Sequence, residues 1–111
     1  MTTVRIVAAE REGGRKNASY KIILVCQIDQ ARHIVPGEWF GCVKNENITH
    51  PFVLQRSLSF YYGGEEHWQE PTNIGQRQIA QGSLFTLSND PRDPEKFEAT
   101  YEITTIHVLD G

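Results

Sequence analysis

Apolar residues in this chain recur at every second position, segment after segment, and no window of about eleven residues carries the three-to-four spacing of an amphipathic helix. A period of two sends alternate side chains to opposite faces of an extended strand, which confines the chain to β architectures. Val4, Ile6 and Ala8 alternate with Arg5, Val7 and Ala9, and "EREGGRKN" then interrupts as the tip of a first hairpin. The return segment "SYKIILVCQI" puts Tyr20, Ile22, Leu24, Cys26 and Ile28 on one face and Ile23 and Val25 on the other. Apolar residues on both faces mark a central strand.

The later segments follow the same rule. "DQARH" is a loop or short helical turn, Pro36-Gly37 turns the chain into "EWFGCV", and "KNENITHP" is a polar loop. Phe52 to Tyr62 is expected to form one long strand with Phe52, Leu54, Leu58, Phe60 and Tyr62 on a common face, and Arg56 falls in the middle of that apolar set. "TNIGQRQIAQG" is rich in turn residues, "SLFTLS" resumes the strand pattern, and the two Asp-Pro pairs of "NDPRDPEK" confine that segment to a loop. In "FEATYEITTIHVL" the apolar phase moves from Phe97, Ala99, Tyr101 and Ile103 to Ile106 and Val108. One extra residue flips everything after it to the other face, so a β-bulge near Thr104 and Thr105 is expected. The prediction is a single all-β domain over residues 1–111, a small antiparallel β-barrel or β-sandwich of six to eight strands with little or no helix.

Charge and hydropathy narrow the function. A net charge of −3 with scattered basic residues leaves no basic face to gather phosphates, so nucleic acid is not an expected partner. The longest uninterrupted apolar run, Ile22 to Cys26, is too short to span a bilayer, and the start "MTTVRIVAAEREGG" lacks a signal-peptide core. The expected setting is cytoplasmic and soluble, with Cys26 and Cys42 as free thiols.

Candidate contact residues cluster in "FYYGGEEHWQEP", Phe60 to Pro71. Gly63-Gly64 suits a hairpin turn, and Tyr61, Tyr62, His67 and Trp68 would then gather at its base as an aromatic surface. Glu65, Glu66 and His67 are metal-ligand types, yet neighbours on a strand point opposite ways and at most two would converge, so no metal is expected. The histidines at 33, 50, 67 and 107 and the two cysteines have no metal-binding spacing, and no cofactor motif is present. Trp39 and Phe40, beside a predicted strand end, are further contact candidates. Arg56 on an apolar face must find a carboxylate, a carbonyl or water: either a strand bulge turns it outward or it pairs with a glutamate, or it binds an anionic ligand or a partner's carboxylate in a cavity with Leu54, Leu58 and Tyr101. No glycine-flanked nucleophile or Cys-His motif points to catalysis.

The C-terminal third reads R-x-I-x-x-G-x-x-F-T-L from Arg77 to Leu87, then a loop, then Y-E-I-x-x-I-x-x-L from Tyr101 to Leu109. This order, over about a third of the chain, is similar to that of small β-barrels in general, including some phage head-tail and tail components, and its spacing follows from barrel geometry. The expected function is non-enzymatic: a protein-interaction or assembly module that contacts a protein partner or its own copies through exposed aromatics and strand edges. A ligand-binding barrel with an anion at Arg56 is the alternative, and a small hydrolase with a histidine base ranks third.

Overall fold

The computed structural model describes residues 1–12, 20–45, 47–64 and 66–110, with the backbone alone for Glu12. Eight strands follow in order: β1 Thr2–Glu12, β2 Lys21–Ile28, β3 Glu38–Asn45, β4 Ile48–Gln55, β5 Ser59–Gly63, β6 Trp68–Pro71, β7 Leu84–Ser88 and β8 Glu98–Val108. They form one sheet in the order β6-β5-β4-β3-β2-β1-β8-β7, with every paired neighbour antiparallel. Each strand therefore lies beside its neighbours in sequence, and β1 lies beside β8. The sheet curls until its two edges meet at a single bridge, Thr72 to Leu87, which makes a nearly closed up-and-down barrel. The barrel alternative is the correct one of the two expected from sequence.

Period-two patterning sets the inside. Val4, Ile6 and Ala8 of β1, Ile22, Leu24, Cys26 and Ile28 of β2, and Ala99, Tyr101 and Ile103 of β8 are all buried. Eight strands enclose a bore that side chains can fill. Burial also pushes the Cys26 thiol up to about 12, so it stays protonated at neutral pH. The phase change in β8 is a bulge: Val7 pairs with Thr105 and Ala8 with Ile103, leaving Thr104 as the extra residue. There the Thr104 hydroxyl donates to the Val7 carbonyl at 3.1 Å.

Two expectations need correction. The segment from Phe52 to Tyr62 is not one strand but the β4–β5 hairpin, closed by the Leu58 N–H donating to the Gln55 carbonyl at 2.9 Å. Its central residues Arg56 and Ser57 have φ of +52° and +59°, the pair of positive values typical of the tightest hairpin turns. Such turns normally use glycine, asparagine or aspartate, so an Arg-Ser turn left no sequence signal. The second correction concerns "KNENITHP", where β4 starts at Ile48 and takes in Pro51. Proline is accommodated because β5 pairs only with Val53, Leu54 and Gln55, which leaves Pro51 clear of that ladder.

The two ends of the barrel differ. At one end the segment between β6 and β7, with a 3₁₀ turn at Ile74–Gln76, folds across the bore and buries Ile74 and Ile79 beside Ile34. It is tied to the β2–β3 loop by reciprocal bonds: the Ile79 N–H donates to the Arg32 carbonyl at 2.7 Å, and Arg32 Nε donates to the Ile79 carbonyl at 2.8 Å. The other end, where the β3–β4, β5–β6 and β7–β8 connections lie, carries no such plug among the described residues.

Gly41 occupies an inward position in the row Ile6, Leu24, Gly41, Phe52. A Cβ there would stand 2.3 Å from the Ile23 carbonyl oxygen and 2.8 Å from Phe52 Cζ. The missing side chain lets the Phe52 ring fill the bore and stack on Phe60 with centroids 3.9 Å apart. Gly41→Ala is expected to destabilise the protein by about 1–3 kcal/mol, as overpacking does. A urea midpoint equal to or above that of the wild type would show that the close approach is not required.

Candidate functional site: the open end of the barrel

The end opposite the plug holds a cleft of about 310 Å³, lined by residues of β3, β4, β5 and β6 and of the segments flanking β2 and β8. Tyr20 stands before β2, Val43 and His50 face each other across β3 and β4, Tyr62 ends β5, Trp68 and Glu70 belong to β6, and Phe97 precedes β8. Asn89, Asp90 and Asp93 of the β7–β8 loop complete the wall. Tyr62 is oriented by its hydroxyl, which donates to Glu70 Oε1 at 2.5 Å, and by edge contact with Phe52 at 6.1 Å. The cleft thus combines aromatic rings with carboxylate oxygens on strand ends that a filled bore holds in place.

Asn89 and Asp90 are the buried polar side chains of the described residues. Asn89 ties off its own loop: its Oδ1 accepts from the Phe97 N–H at 3.3 Å and its Nδ2 donates to the Glu95 carbonyl. Asp90 reaches across the seam to accept from the Gln69 N–H of β6 at 2.8 Å, where no β7 ladder meets that strand. It also accepts from the Arg92 guanidinium through Nε at 3.0 Å and Nη2 at 2.9 Å, and from the Arg92 N–H at 2.8 Å. Arg92 in turn donates to the His67 carbonyl at 2.9 Å and lies 5.1 Å from the centre of the Trp68 ring. One aspartate thereby fastens the β6 edge, the β7–β8 loop and the Trp68 side of the cleft together.

The residues singled out from sequence are distributed over four places. Tyr62 and Trp68 face the cleft. Tyr61, next to Tyr62 on the strand, points to the outer wall, where its hydroxyl bonds His67 Nδ1 and the two rings stack at 5.9 Å. Phe40 is also on the outer wall, 68% exposed, whereas its neighbour Trp39 packs toward the core and donates through Nε1 to the Val35 carbonyl at 2.7 Å. Arg56 sits on an exposed hairpin turn at the plugged end; Leu58 beside it is exposed, while Leu54 and Tyr101 are fully buried. Those four residues line no common cavity, because the hairpin turn lifts Arg56 and Leu58 off the inner face. Glu65, and with it part of the metal-ligand set considered from sequence, lies outside the described residues, as does the β1–β2 tip at 13–19. Among the described residues no three His, Cys, Asp or Glu side chains are grouped to hold a metal.

Sequence reasoning passed over Tyr20, His50, Glu70, Asn89, Asp90, Asp93 and Phe97. The signal available was the run Asn89-Asp90-Pro91-Arg92, in which the paired Asp and Arg lie beside a proline that fixes the turn. Comparison with known proteins finds no matching family model, no matching curated protein and no matching solved structure.

Asp90 is held well below the usual carboxylate range, chiefly by its side-chain bond to Arg92, which outweighs desolvation, and further by the Gln69 and Arg92 N–H groups. An unfolded aspartate titrates near about 3.9, so this group stabilises the fold fully above that pH and loses its contribution as pH falls toward the lower native value. Asp90→Asn is expected to lower the denaturation midpoint at pH 7, with the gap to wild type narrowing below about pH 4. A gap that stays constant from pH 7 to pH 2.5, measured by circular dichroism, would remove Asp90 as the charged clasp of the seam.

Proposed function

We propose that this chain is a non-enzymatic protein-interaction module, a barrel subunit of a larger assembly, and that the open-end cleft receives an anchoring side chain from a partner protein. The observation that carries this reading is the cleft itself: the rings of Tyr20, Tyr62, Trp68 and Phe97 converge on a space of about 310 Å³ that opens to solvent. That volume is at the small end for a ligand pocket, which typically spans about 300–1,000 Å³, and suits one large side chain better than a whole cofactor. Interfaces concentrate their binding energy in a few aromatic or arginine anchors seated in such pockets. The rim already seats one guanidinium, that of Arg92 over Trp68, and aromatic faces beside the Asp93 carboxylate suit a second, supplied by a partner's arginine, whose planar cation stacks on rings and bonds oxygen at its edge.

The test uses the anchor alone. Acetyl-arginine amide titrated into the isotopically labelled full chain is expected to shift the amide resonances of Tyr62, Trp68, Glu70 and Phe97, with a dissociation constant on the order of millimolar for so small a probe. Trp68→Ala is expected to weaken that binding by about three- to tenfold, the worth of one cation–ring contact. Shifts that fall elsewhere, or match those of acetyl-alanine amide, would overturn the assignment of the cleft as an anchor pocket.

A further inference from the structure

The outer wall of the barrel carries a second feature that the cleft does not use. Register fixes two outward rows across the same strands: Val25, Phe40, Val53 and Tyr61 in one, and Val7, Ile23, Cys42 and Pro51 in the other. Phe40 is 68% exposed and Val25 38% exposed, so the rows form an apolar patch centred on β3. A shallow groove beside the projecting Phe40 ring is lined by Gly41, Pro51, Val53 and Tyr61, and its far end reaches Tyr62, which it shares with the cleft. Contiguous apolar surface of this kind on a small protein marks a contact site.

Arg5 beside Val25 and Lys21 beside Lys44 border the patch, and the charges on β3 itself select its occupant. The outward residues of β3 are Glu38, Phe40, Cys42 and Lys44: an acid, two apolar residues and a base, with both charged ends exposed. A two-fold axis lying between two such walls, crossing β3 at the level of Gly41, would lay this strand against a second copy of itself in reverse order. Glu38 of each copy would then meet Lys44 of the other, and each Phe40 would fall over Cys42 and the neighbouring groove. Isologous packing requires just this self-complementarity, a patch whose reversal matches itself in charge and in shape. We infer that the β2–β5 outer wall is a two-fold interface between copies of this chain, centred on Gly41 and flanked by reciprocal Glu38–Lys44 pairs. The inference stands apart from the cleft, which opens at the end of the barrel and would stay accessible in such a dimer.

Sedimentation of the full chain, with charge reversals in the same strand, tests it. Wild type is expected to sediment as a dimer. Glu38→Lys or Lys44→Glu alone should raise the dimer dissociation constant by at least about tenfold, since each reversal puts like charges together at both symmetric contacts, and the double reversal should recover wild-type association. Cys42, on the wall near the axis, supplies a second readout because Cys26 is fully buried and holds its proton. A short bismaleimide should join two wild-type chains, and Cys42→Ser should abolish the linkage. A chain that remains monomeric at high concentration and is not cross-linked would overturn the proposal and leave the wall to a different protein partner. A dimer indifferent to both charge reversals would overturn it equally, by placing self-association on another surface.

Discussion

Closure of the sheet between β6 and β7 is the constraint on which the rest of the molecule depends. An eight-stranded sheet with an apolar inner face exposes that face unless its edges meet, and every other pair of neighbours meets through a hydrogen-bonded ladder. At the seam the ladder shrinks to one bridge, and side chains supply what the backbone does not. Thr72 donates through its hydroxyl to the Thr86 carbonyl at 2.7 Å, the Thr86 N–H donates to Asn73 Oδ1 at 2.7 Å, and Asp90 takes the Gln69 N–H. Polar side chains thus satisfy strand-edge groups that would otherwise be open to another chain.

This mode of closure also gives the barrel its polarity. The long connection from β6 to β7 has to travel between the two edges, and in doing so it lays Ile74 and Ile79 across one end of the bore. At the opposite end the same seam is held by Asp90, whose bonds to Arg92 and β6 bring Trp68 to the rim rather than into the core. The bore is filled by the buried side chains, so the described clefts lie at the rim and on the outer wall. The fold presents two distinct surfaces, one concave at the end and one apolar on the side.

Much of the strand pattern was legible in the sequence because burial and periodicity are the same fact for a one-sided strand. The bulge at Thr104 could be located to the residue range, since an inserted residue must reverse the apolar phase that follows it. The β4–β5 turn was illegible for the opposite reason. Arg56 and Ser57 adopt positive φ without the residue types that announce it, and the apolar phase on the two sides of the turn matches that of an unbroken strand. The hairpin at Gly63-Gly64 was legible, yet the fate of its aromatics was not: Tyr61 and Tyr62 differ by one position, and the pleat sends one to the wall and one to the cleft.

The sequence by itself determined that the chain is built of antiparallel strands, which residues face inward along β1, β2 and β8, and where the last strand shifts phase. These are local properties, set by side-chain alternation and by what proline and glycine permit. Only the tertiary structure decided that the sheet closes into a barrel, that Asp90 fastens its seam to β6, and that Tyr62 and Trp68 share a cleft with Tyr20 and Phe97. Each of those depends on which segments meet across the seam. Such meetings are set by pairing between segments distant in the chain, such as β1 with β8, and no short-range pattern records them.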